Sequence, residues 1–338
     1  GDVYKRQALN DKKMQNNSIT AVGMGRMGRG IAISFALSGY TVELIDLKRR
    51  SKKQFLQLLE ETNKEIHESI SLLEKFNVLT QNEAKKIINK ISLHDLQGCQ
   101  EILRNSNIIF EGVPETIEAK KQALTFISEN VPIDAIIAST TSTILSNDLQ
   151  VFVKYPERFL NAHWLNPAFL VPLVELSPGA KTLKTTTDQL KNILEKIGKV
   201  PIICSASPGY IVPRIQALAM NEAARLVEEG VASVEDIDKA TKYGFGFRFA
   251  ILGLLEFIDW GGGDILYYAS QYMTKATGED RFSAPKIIND NMKNNRNGLK
   301  DGQGFLNYEG LDIKSYQENR LFSFVEMLRH LNKLPPKQ

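Results

Sequence analysis

The chain has 338 residues, which is long enough to bury a substantial hydrophobic core and to divide into two domains. Its residues are 43% hydrophobic and 24% charged, and its net charge of +3 is spread along the chain. This balance gives no indication of nucleic acid or of a membrane surface as a partner.

Cysteine usage and the distribution of apolar residues bear on the compartment. Cys99 and Cys204 lie far apart, in neither a CxxC pattern nor the spacing of a metal site. We therefore expect reduced thiols, a cytoplasmic protein and no bound metal. No stretch approaches the roughly 18 apolar residues of a membrane-spanning helix.

The first residues differ in character from the rest of the chain. They carry charges without the apolar segment of a secretory signal, and they lack an initiating methionine. We expect the segment before about Met14 to be foreign to the protein and the fold to begin after it.

From residue 18 to residue 204, short apolar segments alternate with segments whose apolar residues recur at helical spacing. Strands are predicted at 18–22, 41–45, 107–111, 135–138, 159–165, 173–176 and 200–204. Helices are predicted at 31–37, across 50–90 with a break near 77–80, at 116–128 and at 187–197. This alternation predicts an α/β fold with a doubly wound sheet.

The pattern changes at residues 205–209, Ser-Ala-Ser-Pro-Gly. Beyond this point only helices are predicted, at 211–229, at 233–243, across 253–276 with a glycine-rich interruption, and at 321–331. We therefore predict an α/β domain over residues 14–206 and an all-α domain over residues 207–338.

A glycine loop lies between the first predicted strand and the first helix. Gly23, Gly25 and Gly28 fit the pattern GxGxxG, with Met27 inside it. In this context the first glycine allows a tight turn, the second lets the backbone approach a pyrophosphate, and the third lets helix and strand pack closely. The helix N-terminus then offers free N–H groups to the phosphates. The loop predicts dinucleotide binding, the alternative being a structural glycine turn.

An acidic residue ends the second predicted strand. Asp46 lies 18 residues beyond Gly28, where a carboxylate can bind a ribose diol and repel a 2′-phosphate. It favours NAD over NADP, although the basic residues at 48–50 weaken that preference. A solvated aspartate is the alternative.

One of only four histidines lies in an apolar, strand-like run, Asn161-Ala-His-Trp-Leu-Asn-Pro167. A buried structural histidine is one interpretation of His163. The other is catalytic, because oxidation of an alcohol by a nicotinamide needs a base for the hydroxyl proton, and imidazole titrates near neutral pH.

Several motifs in the chain, taken in order, resemble those of the L-3-hydroxyacyl-CoA dehydrogenase family. The resemblance includes GxGxMGxGIA at 23–32, a relative of ASNTS at 138–142, HxxNP at 163–167, LVE at 173–175, SPGYIV at 207–212 and GxGF at 302–305. It covers nearly the whole chain from residue 18. It implies a Rossmann-type NAD-binding domain followed by a helical domain that forms a homodimer.

The resemblance also implies roles for individual residues. It makes His163 the catalytic base, Glu175 the carboxylate that orients it, and Ser142 a hydroxyl that contacts both the substrate oxygen and the nicotinamide ribose. It makes Asn166, Glu115 and Lys120 cofactor-binding residues. Taken singly, Ser142 fits a helix N-cap, Glu175 a surface charge on an edge strand, and Glu115 or Lys120 a solvated helix start.

The chain departs from the family pattern at three places. The family's PGFIVNR has a polar active-site Asn where this chain has Pro213, which has no side-chain donor. Arg248 stands in a segment that is similar to the lambda-crystallin/L-gulonate and carnitine dehydrogenase branch, and its guanidinium can bind a free carboxylate; an ion pair at the surface or between domains is its alternative. The segment after Asp46 is longer than in the acyl-CoA enzymes, and Ser69 and Lys75 within it lie near positions that would contact CoA.

Three hypotheses follow for the function. The first is an NAD-dependent dehydrogenase of a short-chain L-3-hydroxyacyl-CoA, which acts in fatty acid metabolism. The second keeps this chemistry but takes a small free 3-hydroxy acid, held by Arg248. The third is a cofactor-binding or structural protein without turnover, which the joint presence of His163, Glu175 and Ser142 disfavours.

Overall fold

The computed structural model describes residues 17–336, and the expectation about the segment before Met14 lies outside them. The chain divides into two compact units, the first ending at Ala219 and the second beginning at Met220. No helix in the described range is long and apolar enough to cross a membrane.

The first unit is built on an eight-stranded sheet with the order β3-β2-β1-β4-β5-β6-β7-β8. All neighbouring strands are parallel except β6 and β7, which are antiparallel. The predicted doubly wound α/β sheet is confirmed. The strands are β1 Ser18–Val22, β2 Thr41–Ile45, β3 Ile91–His94, β4 Ile108–Glu111, β5 Ile136–Ser139, β6 Phe159–Trp164, β7 Leu173–Pro178 and β8 Val200–Ile203.

Helices connect these strands and cover the sheet. The longest begins at Lys52 and has Ser51 as its N-cap, whose hydroxyl forms a capping box with Gln54 and so provides a partner for an N–H group of the first turn. The helices of this part are α1 Arg26–Leu37, α2 Lys52–Lys75, α3 Gln81–Ile88, α4 Cys99–Arg104, α5 Ile117–Asn130, α6 Ser146–Leu149 and α7 Lys184–Lys196.

Two hydrophobic clusters flank the sheet. In one, Phe35 of α1 packs against Phe110 of β4 and Trp164 of β6, with ring centroids 5.4 and 6.2 Å away. The other lies around Ile109 and Leu124. Because both faces are covered, the central strands are apolar on both sides and read as continuous apolar runs in the sequence.

The edge strand β3 was not predicted, and this omission was wrong. It has four residues, none of them fully buried, and pairs only with β2. Its pattern, Ile-Ser-Leu-His, follows a long charged helical stretch directly. A short, half-exposed edge strand needs neither the length nor the apolar content on which the prediction depends.

The second unit is helical throughout its described elements, as predicted, but its helix boundaries differ. The helical span predicted over 253–276 consists of two helices, and the predicted glycine-rich interruption lies at Gly262, which has a φ of +105°. The helix at 286–293 was missed, and the last helix starts at Ile313 instead of Leu321. The helices are α8 Val212–Glu228, which spans the division between the units, α9 Val234–Ala240, a π-helix Thr241–Gly246, α10 Phe247–Phe249, α11 Leu254–Gly261, α12 Gly263–Thr277, α13 Lys286–Lys293 and α14 Ile313–His330.

A buried carboxylate organises the C-terminal loop of this unit. Asp259 of α11 accepts hydrogen bonds from the N–H groups of Phe305 and Leu306, at 2.9 and 2.8 Å, and from the hydroxyl of Tyr308 at 3.1 Å. A Cβ at Gly304 would overlap this carboxylate. The GxGF motif is therefore explained by close approach of the chain to Asp259.

Candidate active site

The glycine loop between β1 and α1 has the geometry that a dinucleotide requires. Gly23 has a φ of +107°, and a Cβ there would overlap the backbone of Gly112. A Cβ at Gly28 would overlap the carbonyl of Gly23, so helix and strand pack as closely as predicted. Contacts within the protein therefore require glycine at both positions.

Gly25 is different, because a Cβ there would have no heavy atom within 4 Å. This glycine is the N-cap of α1, and no side chain caps the helix. Open space beside uncapped N–H groups fits a pyrophosphate. The half-buried side chain of Met27 packs against the hydrophobic cluster on this face, so its backbone N–H is the group it can offer.

Asp46 lies at the carboxyl end of β2, as the ribose role requires, and only 7% of its surface is exposed. Its Oδ2 accepts a hydrogen bond from Nε of Arg50 at 2.5 Å, and its Oδ1 lies 3.4 Å from the N–H of Lys48. Arg50, one of the basic residues that follow Asp46, therefore forms an ion pair with it.

His163 and Glu175 face each other across β6 and β7. They are paired in the antiparallel register, both are buried, and Nδ1 of His163 lies 2.7 Å from Oε2 of Glu175. A carboxylate can only accept, so Nδ1 carries the proton and the lone pair lies on Nε2. Nε2 has no hydrogen-bond partner within residues 17–336. An imidazole held in this way can accept a proton at Nε2.

The other oxygen of Glu175 is bound by the chain at the start of α8. Oε1 accepts hydrogen bonds from the N–H groups of Ile211, at 3.0 Å, and Val212, at 2.8 Å. Both oxygens of this fully buried carboxylate therefore have hydrogen-bond partners, two backbone N–H groups on one side and His163 on the other.

Ser142 lies in a turn after β5 that is held by Glu115. Oε1 of Glu115 accepts from the N–H groups of Ser142 and Thr143, both at 3.0 Å, and from the hydroxyls of Thr141 and Thr143. Asn161 of β6 donates to the carbonyl of Thr141 at 3.1 Å. Glu115 is therefore engaged in shaping the loop that carries Ser142.

Lys120 is fully buried below this turn. Its Nζ donates to both oxygens of Glu111, at 3.0 and 3.2 Å, and lies 3.5 Å from Oε2 of Glu115. Glu111 also accepts from the hydroxyl of Ser139 at 2.6 Å. Sequence reasoning missed Glu111, although a glutamate that ends an otherwise apolar strand is an available signal.

Asn166 is exposed in the loop after β6 and precedes Pro167 through a cis peptide bond. Two groups from elsewhere hold this loop at the carbonyl of Ala168. Nζ of Lys199 donates to it at 2.6 Å, and the hydroxyl of Ser34 donates at 3.1 Å. Lys199 was also missed, because a lone lysine before a strand reads as a surface charge.

Two family models together match most of the chain. The family model of the 3-hydroxyacyl-CoA dehydrogenase NAD binding domain matches residues 18–207, and the model of the C-terminal domain matches residues 209–308. The chain belongs to the 3-hydroxyacyl-CoA dehydrogenase family.

Individual relatives cover most of the chain. A 5-formyl-3-hydroxy-2-methylpyridine 4-carboxylate 5-dehydrogenase of Mesorhizobium japonicum is 26% identical over 93% of this chain and 98% of its own. A human lambda-crystallin homolog is 31% identical over 75% of this chain and 77% of its own. The crystal structure of a 3-hydroxyacyl-CoA dehydrogenase from Archaeoglobus fulgidus superposes with a TM-score of 0.74, at 29% identity, covering 94% and 99% of the two chains.

This 3-hydroxyacyl-CoA dehydrogenase family member is therefore an oxidoreductase that uses NAD. Its departure at Pro213 does not disturb the backbone. The N–H groups of Ile211 and Val212 bind Glu175, and the N–H of Arg214 bonds to the carbonyl of Gly209 at 3.0 Å. Pro213 follows Val212, the first residue of α8, where a missing N–H is tolerated.

The two other predicted substrate residues lie on helical segments of different units. The hydroxyl of Ser69, on α2, donates to the carbonyl of Glu65 at 2.9 Å. Arg248, on α10, is exposed, and its guanidinium carbon lies 4.9 Å from the ring centroid of Phe257. Its Nε donates to the carbonyl of Gly244 at 2.9 Å.

Glu115 predicts a pH dependence of stability. Burial alone raises the pKa of its carboxyl, but hydrogen bonds from Thr141 and Thr143 and the charge of Lys120 outweigh burial and hold this pKa below its usual value. A depressed folded-state pKa stabilises the protein above the unfolded value of about 4.3, and this contribution is lost as the pH falls through the folded pKa.

We expect Glu115→Gln to lower the free energy of unfolding at pH 7 by about 1 kcal/mol, a modest amount because the carboxylate is partly exposed. The deficit should shrink toward zero below about pH 4. Urea denaturation at pH 7 and at a pH below about 4 measures this deficit, with Glu118→Gln on the same helix as the control. An equal deficit at both pH values would contradict this electrostatic account of Glu115.

Proposed function

We propose that this protein oxidises a short-chain L-3-hydroxyacyl-CoA with NAD, and that His163 is the base. The observation that carries the proposal is the buried His163–Glu175 pair, which fixes the proton on Nδ1 and leaves Nε2 as an acceptor. The name and near-complete coverage of the Archaeoglobus fulgidus structure support the thioester substrate.

In the proposed step, Nε2 of His163 takes the hydroxyl proton of the substrate while the hydride leaves the carbinol carbon. When bound, NAD supplies the hydride acceptor. The imidazolium that forms is stabilised by Glu175, whose own charge is already held by two N–H groups at the start of α8. The base is thus prepared before the substrate arrives.

Ser142 is the proposed hydroxyl that contacts the substrate oxygen. Its N–H is fixed by Glu115, whereas its Oγ has no hydrogen-bond partner in the described part of the chain. A fixed backbone with a free hydroxyl suits a group that binds ligand. Asn166, Glu115 and Lys120 keep their proposed cofactor role. Asn166 would contact the cofactor from its exposed loop, and Lys120, which is fully buried, would act through Glu115, whose Oε2 lies 3.5 Å from its Nζ.

A free 3-hydroxy acid is the second candidate substrate, and Arg248 is the observation that favours it. The guanidinium is exposed, packs on Phe257, and has no carboxylate within ion-pair distance among residues 17–336. Such a group can bind a substrate carboxylate bidentately. The Mesorhizobium japonicum relative is named for a carboxylate substrate without CoA.

A substrate panel distinguishes these candidates. We expect NADH oxidation with acetoacetyl-CoA, and a loss of at least 100-fold in kcat for His163→Ala with the NADH dissociation constant little changed. Activity on CoA-free hydroxy acids alone would contradict the thioester proposal. NADH binding without turnover on any substrate would contradict both and indicate a structural protein.

The same panel tests Arg248. If a free acid is the substrate, Arg248→Met should raise its KM at least tenfold and leave NADH binding unchanged. Lys239→Met is the matched control, since that exposed cation is already paired with Asp236 at 3.1 Å. Unchanged thioester kinetics in both variants is the outcome expected for the first proposal.

A homodimer is proposed on the apolar surface of the second unit. Ile265 and Tyr272 on α12 are 63% and 74% exposed, and Leu321 and Phe322 on α14 are 55% and 63% exposed. Exposed apolar side chains in such number mark an interaction surface. A second copy of the chain is the proposed occupant, because closed homodimers are the commonest assembly.

We expect light scattering to give twice the chain mass for the purified protein, and Tyr272→Asp to shift it toward the monomer, because a carboxylate is costly to bury. Lys275→Asp, on the same helix, serves as the control. A monomeric wild-type protein at micromolar concentration would contradict the dimer.

The cytoplasm and fatty acid metabolism remain part of the proposal. A reducing compartment is proposed because Cys99 and Cys204 lie far apart in the sequence, in neither a CxxC pattern nor the spacing of a metal site. An acyl-CoA substrate would place the reaction in fatty acid metabolism.

A further inference from the structure

The segment that binds Glu175 starts with a residue in an uncommon conformation. Tyr210 has a φ of +44° and follows Gly209, at +75°. The left-handed region is costly for a bulky side chain other than glycine and persists where the surroundings hold it. Here the conformation turns the tyrosine inward, and 4% of its surface is exposed.

The ring of Tyr210 packs against the imidazole of His163. The ring centroids are 5.8 Å apart and the planes are inclined by 26°. Contact along one face restricts rotation of the imidazole about its own axis, while Glu175 fixes Nδ1 at its edge. Two independent contacts therefore define the direction of Nε2.

The hydroxyl of Tyr210 reaches a different part of the site. It donates a hydrogen bond to the carbonyl of Ile144 at 3.0 Å. Burial, aided by the negative charges of Glu115 and Glu175, strongly raises the pKa of this hydroxyl, so it remains a donor at neutral pH. Ile144 closes the turn of Ser142, because its own N–H bonds to the Thr141 hydroxyl at 3.0 Å.

We propose that Tyr210 is a positioning residue that fixes the positions of Ser142 and His163 relative to each other. The turn of Ser142 is held at one end by Glu115 and at the other by the Tyr210 hydroxyl. The same tyrosine ring supports His163.

The inference rests on the proposed function and deepens it, since it explains how two groups on separate elements are aligned on one substrate hydroxyl. Small displacements of reacting groups lower the rate more than they weaken ground-state binding. A loss of alignment therefore appears in kcat and not in KM.

Tyr210→Phe removes the hydrogen bond to the carbonyl of Ile144 and keeps the ring that packs on His163. We expect kcat to fall about threefold to tenfold, as for the loss of one hydrogen bond, with both KM values within twofold of the wild type. Tyr210→Leu removes the ring as well and should lower kcat further. Tyr40→Phe is the control, a half-buried tyrosine of the same unit whose ring packs on Phe35 at 5.3 Å.

An NMR readout separates this inference from the proposed function. The chain has four histidines, so the ring protons of His163 can be assigned by difference with His163→Gln. Their upfield ring-current shift should persist in Tyr210→Phe and disappear in Tyr210→Leu. The amide resonances of Ser142 and Thr143 should shift in both variants and not in Tyr40→Phe.

An unchanged kcat in Tyr210→Phe, or a rise in KM without a fall in kcat, would overturn the inference while the dehydrogenase stands. If the wild type turns over no substrate, the proposed function fails. In that case unchanged Ser142 and Thr143 amide resonances overturn the positioning role, and shifted ones support it.

Discussion

The site depends on one buried carboxylate that is satisfied from two directions. Glu175 binds His163 with one oxygen and the first N–H groups of α8 with the other. An unpartnered charge in this position would cost several kcal/mol, so the two strands and the start of the helix must keep their places together. The orientation of the imidazole is a consequence of this constraint.

The fold is largely predictable because a covered parallel sheet leaves a strong sequence signal. Strands such as β4 and β5 are apolar on both faces and are bounded by clear helical periodicity. The edge strand β3 gives no such signal, since it is short and half exposed. In the second unit, the helix at 286–293 and the start of the last helix at Ile313 depend on packing that periodicity does not report.

The candidate site is predictable where its side chains belong to motifs that residue type and spacing identify in the sequence. His163, Glu175 and the glycine loop are of this kind, and the structure places the first two in contact. Lys199 and Tyr210 are not, because their partners are distant in the sequence. No local sequence pattern distinguishes a buried, hydrogen-bonded lysine or tyrosine from one at the surface.

The most direct test of the account is kcat for Glu175→Gln, measured together with NADH affinity. Glutamine keeps the shape of the side chain, but its amide oxygen must face the two N–H groups at the start of α8, so its amide nitrogen faces Nδ1 of His163. The imidazole proton then moves to Nε2, and the base is lost. The account predicts a fall in kcat of roughly 100-fold to 10,000-fold with NADH affinity within twofold of the wild type. A kcat within threefold of the wild type would contradict it.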